Sequence, residues 1–343
     1  MQSFLLLFLF FGIMYLLWFF VKEHHPHEKD LDWASFFFAK TAKLYLPRLY
    51  PGNDTQSLND MRQFLEFFAV HPTRLLIKAY PDPFELIHSN AIDVKIPVEF
   101  DDFIIARIYN GHEPRAVNSS NEELKPVLVW FHGGGLVLGS LELAHLPCLK
   151  YANYTGYIIV NVDYRLAPDY IFPTPLNDAY SAFLWVEEHI EKYGGDRRRL
   201  TIGGDSAGGY LATAVSARYL ESHMEREKEK NCVDVESEEE VKGGVKVREG
   251  ECVEIEDLPS SNLKGLLAVY PMLNATTDTE EAKLYDQTSG ILSIEIIEWV
   301  RQLHQGSPTT DMSIRSHYWF SPFNTPREIL RFFPPTIFVI ARY

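Results

Sequence analysis

Positive charge is what this 343-residue chain lacks: 32 Lys and Arg stand against 47 Asp and Glu, a net charge of -15. No basic patch is visible that could neutralise phosphates, which argues against nucleic acid as a partner. Internal repeats are absent. Cysteine is scarce, with only Cys148, Cys232 and Cys252. These fit a compartment in which one disulfide forms. Cys232 and Cys252 flank the same polar stretch and are the better pair, although sequence alone does not set connectivity. What the chain has in quantity is aromatic: 23 Phe and 18 Tyr in an otherwise ordinary globular composition. Its length allows one large core or two modest ones.

Residues Phe4 to Val21 form an uncharged apolar run. A bilayer-spanning helix needs roughly 17–25 such residues. A cleaved signal would have a shorter apolar region ending in small residues, and a buried soluble helix is the third reading. The run is long, bulky and followed by Lys22-Glu23-His24-His25-Pro26, so we expect a retained membrane anchor over residues 1–22. Flanking charge says little about its orientation. Sequons at Asn53, Asn118, Asn153 and Asn274 suit a lumen-facing domain, although such triplets also arise by chance.

Residues 23–92 read as a helical N-terminal region or cap, with Trp33, Phe36, Phe37, Leu44, Phe64 and Phe67 making apolar stripes. From residue 93 the texture changes. Val94–Phe100 and Phe103–Tyr109 read as a hairpin around Asp101-Asp102. Val127–Phe131, Tyr157–Val162, Leu200–Ile202, Lys264–Tyr270 and Thr336–Ala341 read as further strands. Asp178–Glu191 and Ala207–Leu220 read as helices between them. Alternating strands and helices indicate an α/β fold, a mostly parallel sheet covered on both faces. Residues from about 224 to 258 break the rhythm. They are rich in Glu and Lys with isolated apolar residues, and read as a solvated insertion.

Two glycine-rich turns carry the chemistry. Gly204-Asp205-Ser206-Ala207-Gly208 is a Gly-X-Ser-X-Gly turn between a strand and a helix, which exposes Ser206 as a nucleophile. His132-Gly133-Gly134-Gly135 follows the strand Val127–Phe131. Such a loop turns its backbone N–H groups towards a ligand. The expected oxyanion donors are the N–H groups of Gly133, Gly134 and Ala207, the last at a helix N-terminus. His132 lies upstream of the serine, and the order Ser, acid, His makes it structural. Gly135 and Asp205 belong to the two motifs without a direct chemical role.

These blocks, together with Asp163–Pro173 (DYRLAPDYIFP) and Asp178-Ala179-Tyr180, resemble the hormonesensitive-lipase family of α/β hydrolases over roughly residues 95–343. The anchor and helical N-terminal region are similar to the arylacetamide deacetylase branch, whose catalytic domain lies in the lumen of the endoplasmic reticulum. The resemblance implies an α/β-hydrolase fold with a helical cap, and a serine hydrolase of lipophilic acyl esters that needs no cofactor or metal. It implies that Arg165 and Asp169 hold the loops around the site, with Asp169 replacing the usual Glu. Asp178 is expected to support the site rather than react.

The family's catalytic Asp follows the seventh strand, here Thr336–Ala341, and Tyr343 precedes it. The eighth strand, the catalytic His and the closing helix would come later still. His223, His304, His317, Asp278, Asp286 and Asp311 follow Ser206, but fall in a helix end or the cap region. We therefore expect a fragment or an inactive chain, lacking the last strand and helices. The alternative is a non-catalytic binding or scaffold protein, for which the gibberellin receptors of plants are a precedent in the same resemblance.

Overall fold

The computed structural model describes residues 91–114, 123–231, 261–275, 280, 294–306 and 311–340. The expected anchor, nearly all of the N-terminal region, Cys232 and Cys252, and residues 232–258 of the expected insertion lie outside them. Among the described residues no helix is long and apolar enough to cross a membrane. Apart from residues 280 and 294–297, the described part falls in one compact unit.

Its elements are β1 (Ile92–Val98), β2 (Asp102–Tyr109), β3 (Lys125–Phe131), α1 (Leu141–Thr155), β4 (Ile158–Asp163), α2 (Thr174–His189) and β5 (Gly195–Asp205). There follow α3 (Ala207–Asn231), β6 (Leu263–Val269), α4 (Ile294–Gln305), α5 (Met312–Ser316), α6 (Arg327–Leu330) and β7 (Thr336–Val339). The seven strands form one sheet in the order β1-β2-β4-β3-β5-β6-β7. The hairpin β1–β2 is antiparallel and joins β4 antiparallel, while β4, β3, β5, β6 and β7 are parallel to one another. This is the mostly parallel α/β sheet that the strand–helix alternation implies.

Period-two alternation sends neighbouring side chains to opposite faces. Val127, Val129 and Phe131 of β3 join Ile158, Val160 and Val162 of β4 under α2 and α3. Leu128, Trp130 and Ile159 point the other way, onto Ala144, Cys148, Leu149 and Ala152 of α1. With both faces covered, the central strands are apolar almost throughout. Cys148 is free and buried.

Helix α3 runs through Leu220 to Asn231. Met224, at the start of the expected insertion, is buried against Ala217, Leu220 and Ile329. That contact carries the helix further than its charged composition suggests. At the opposite edge from the hairpin, β7 pairs with β6, and Ile337 and Phe338 of β7 are exposed.

Candidate active site

Strands β3 and β5 are adjacent and parallel, with Phe131 opposite Gly204. The chain therefore leaves both strands at the same end of the sheet. That register, rather than any single residue, brings the triple-glycine loop to the serine turn.

The serine turn is strained and clamped. Ser206 has φ 53°, the left-handed region that a side chain disfavours, at a cost of about 1–3 kcal/mol. Its N–H donates to Val269 O at 2.9 Å, and its carbonyl accepts from Tyr210 N at 3.1 Å and Met272 N at 3.3 Å. The exit of β6 thus grips Ser206 on both sides of its Cα. Close approach requires the glycine at 208: a Cβ there would lie 2.0 Å from Phe131 O. Helix α3 is seated directly on the end of β3. Ser206 itself is half-buried, and among the described residues no side chain is hydrogen-bonded to its hydroxyl.

In the loop, Gly134 has φ 123° and its carbonyl accepts from Val137 N and Leu138 N at 3.2 and 2.9 Å. A Cβ at this position would meet Leu138 O at 2.1 Å. The Gly133 N–H donates to Asp205 Oδ1 at 3.1 Å. The Gly133 donor, expected to face an oxyanion, is here occupied by a carboxylate. Among the described residues no protein acceptor takes the N–H of Gly134 or Gly135. The Ala207 N–H is the first of α3, where orphan donors and the helix dipole concentrate positive potential. Burial raises the pKa of Asp205, and the Gly133 hydrogen bond pulls it back.

His132 is buried, donates from Nδ1 to Gly133 O at 2.8 Å and stacks on Tyr164 at 4.4 Å between ring centroids. The Tyr164 hydroxyl donates to His132 O at 2.7 Å. Burial lowers the His132 pKa to about 4, against the hydrogen bond to Gly133. With Nδ1 tied to Gly133 O and its basicity lowered by burial, the ring is a poor base for Ser206.

Arg165 grips Asp178 through Nε to Oδ2 at 2.8 Å and Nη2 to Oδ1 at 2.7 Å, and reaches Asp102 at 3.3 Å. Its backbone N–H also donates to Asp178 Oδ2. The hydrogen bond that Arg165 donates to Asp178 is the main cause of its raised pKa. Two residues on, Ala167 N donates to Leu136 O at 2.9 Å. A buried ion pair therefore fixes the turn after β4, and that turn holds the triple-glycine loop. Asp169 sits exposed in the same turn.

The later titratable residues have other duties. His223 bonds Tyr219 O, His317 stacks on Tyr318, and Asp311 caps α5 through Ser313. His304 is buried among Phe172, Tyr210 and Phe320. Asp278 and Asp286 lie outside the described residues. Sequence reasoning missed Tyr164, Val269 and Arg301. Tyr164 follows β4 and Val269 ends β6, but their partners are 32 and 63 residues away, and no local pattern marks such contacts. Among the described residues no group of His, Cys, Asp and Glu is placed to hold a metal ion.

Comparison with known proteins agrees with this geometry. A family profile described as alpha/beta hydrolase fold matches residues 128–343. Esterase LipI of Mycobacterium tuberculosis is 43% identical over 93 residues, covering 27% of this chain and 29% of that protein. Carboxylic ester hydrolase LipN of the same organism is 36% identical over 143 residues, 41% of this chain and 35% of that protein. The chain thus spans about a third of the length of these relatives. A solved esterase structure from Pyrobaculum calidifontis superposes with a TM-score of 0.60 at 25% identity, covering 83% of this chain and 75% of that one.

Proposed function

From the premise that this chain belongs to the alpha/beta hydrolase fold family, we propose that it is a carboxylic-ester hydrolase with Ser206 as nucleophile. One observation carries the reading. Ser206 is held at φ 53° at the N-terminus of α3, on the strand neighbouring the one that feeds the glycine loop. Attack on the ester carbonyl builds a negative oxygen. The N–H groups of Gly134, Gly135 and Ala207 are the donors we assign to it. Gly133 instead ties the loop to Asp205. One such donor is worth about 10²–10³ in rate. Neither a cofactor nor a metal is required by this chemistry. The apolar side chains of Leu136, Met272, Val300 and Phe320 beside the serine turn support lipophilic acyl esters as substrates.

The geometry also favours a second reading. No imidazole among the described residues is hydrogen-bonded to the Ser206 hydroxyl, and a serine without a base is a poor nucleophile. On that reading the chain binds a ligand without turning it over. A fluorophosphonate probe and a chromogenic butyrate ester separate the two. Covalent labelling and ester cleavage that both vanish in Ser206→Ala support the hydrolase. A folded chain that neither labels nor cleaves refutes it in favour of the binding protein.

The uncharged run Phe4–Val21 supports membrane attachment, and the four sequons support a catalytic unit in the lumen of the endoplasmic reticulum. Carbonate extraction and glycosidase sensitivity test this. A chain released by carbonate, or one without glycan at any sequon, removes that proposal.

A further inference from the structure

Beside the nucleophile turn lies a small, partly open hollow, lined by Leu136, Tyr210, Met272, Val300, Arg301 and His304 among others. Tyr210 and Met272 donate their N–H groups to Ser206 O, so the hollow begins one helical turn from the serine. Most of its wall is apolar, and Arg301 is the exception. It is 4% exposed. Its Nη2 donates to Asn274 O at 2.5 Å, while Nε and Nη1 have no hydrogen-bond partner among the described residues. A guanidinium carries five N–H donors and no acceptor. Buried donors left unmade are unfavourable, and a buried charge without an anion is more so.

Among the described residues nothing nearby supplies that anion. Glu298, one turn earlier on α4, gives Oε1 and Oε2 to Arg315 at 2.7 and 3.0 Å. Arg315 adds repulsion. His304 has no partner at either ring nitrogen and sits among aromatic rings. Burial holds its pKa at about 3, so it contributes no charge. Burial also lowers the Arg301 pKa, but only to about 10, with Glu298 opposing and Arg315 reinforcing the fall. The guanidinium is therefore cationic at neutral pH, with donors to spare, at the edge of a hollow fit only for a small group.

We propose that this hollow is a carboxylate-binding subsite recognised by Arg301. The choice of a carboxylate rests on the ester-hydrolase reading, because cleavage of a carboxylic ester releases one. The need for an anionic oxygen rests on Arg301 alone. The carboxylate has two sources: the acid released at Ser206, or a second acid group at the far end of the substrate's acyl chain.

Calorimetric titration of the full chain carrying Ser206→Ala tests the subsite without turnover. The titrants are butyrate, the uncharged isostere butyramide, and monomethyl succinate. Butyrate is expected to bind at least about tenfold more tightly than butyramide, the size of one lost charged hydrogen bond. Arg301→Met should weaken butyrate by a similar factor, and Arg301→Lys by less. Equal binding of butyrate and butyramide, or binding of neither, overturns the proposal. So does unchanged butyrate affinity in Arg301→Met. Should that variant fail to fold, the ratio of butyrate to butyramide on the intact site decides alone. Monomethyl succinate binding more tightly than butyrate identifies the second acid group as the source, and equal affinity identifies the released acid. Either result presupposes the subsite and supports it. Fluorophosphonate labelling of Ser206 is read separately. Failed labelling with Arg301-dependent butyrate binding sinks the hydrolase reading and leaves the subsite; labelling without such binding does the reverse.

Discussion

Two arginines near the triple-glycine loop, the mostly buried Arg165 and the buried Arg301, are built in opposite ways. Arg165 spends its guanidinium on both oxygens of Asp178 and on Asp102. Arg301 has one carbonyl acceptor and two nitrogens without a partner. Both meet the loop through Leu136: Ala167, in the turn that Arg165 anchors, donates to Leu136 O, and Leu136 also lines the hollow that Arg301 borders. A saturated charge fixes geometry and has nothing left to offer a ligand. An unsaturated charge of similar burial is a liability to the fold unless something arrives to complete it. The first is scaffolding for the glycine loop, and the second is the feature on which the proposed subsite rests.

The sharpest way to break this contrast is to remove the Asp178 carboxylate. Asp178→Ala leaves the mostly buried Arg165 with only its longer contact to Asp102, and breaking such a pair costs up to about 3–5 kcal/mol. We expect a large fall in the midpoint of denaturant unfolding, and loss of Ser206 labelling under conditions where the protein is still folded. Asp178→Ala with unchanged stability would show that the pair does not hold the turn after β4.

How much of this was legible beforehand depends on how far apart the partners lie in sequence. The serine turn and the glycine loop are contiguous motifs on strands that could be read, so Ser206 and the loop were found. Strand β5 was read as Leu200–Ile202 but begins at Gly195. Its early residues are charged because Asp196 collects Arg198 and Arg199 at the surface. Helix α1 was not recognised, although Leu141, Ala144, Cys148 and Ala152 give it a buried stripe. Pro147 interrupts that pattern, and proline normally argues against a helix interior. The spent donor of Gly133 was invisible for a different reason. Asp205 lies 72 residues away, and only the register of β3 on β5 brings them together. Arg301 lies in no motif, and only the folded structure shows that it is buried.

Each arginine has a buried histidine close by, and pH sharpens the comparison next. His132 stacks on Tyr164, next to Arg165, and burial holds its pKa at about 4; His304 borders the Arg301 hollow at about 3. Unfolding releases both to the ordinary value near 6.5, so the unfolded state binds more protons as pH falls below it. Their contribution is complete above about pH 6.5 and is lost as pH falls through the folded values. The limit is about 3 kcal/mol for His132 and somewhat more for His304. Urea melts between pH 7 and 4 should show a steep loss of stability. His304→Phe should flatten that slope and His132→Phe should flatten it too, the latter from a lower starting stability because Gly133 O loses its donor. A slope that neither substitution alters would place the acid sensitivity elsewhere.

The smallest effect is the most telling. Arg301→Met removes a buried charge whose only hydrogen bond in the structure is to Asn274 O. The lost bond is worth about 1 kcal/mol, and relief of the unpaired charge acts in the opposite direction. We expect stability within about 1 kcal/mol of the parent in a carboxylate-free buffer. Added butyrate should then stabilise the parent and leave the variant where it was, since a ligand raises the stability only of the state that binds it. The same truncation at the other arginine, Arg165→Met, exposes the asymmetry. It strands the Asp178 carboxylate in the interior and should resemble Asp178→Ala. If the two arginine variants lose stability alike, Arg301 is scaffolding as well, and the distinction between a saturated and an unsaturated charge fails at this site.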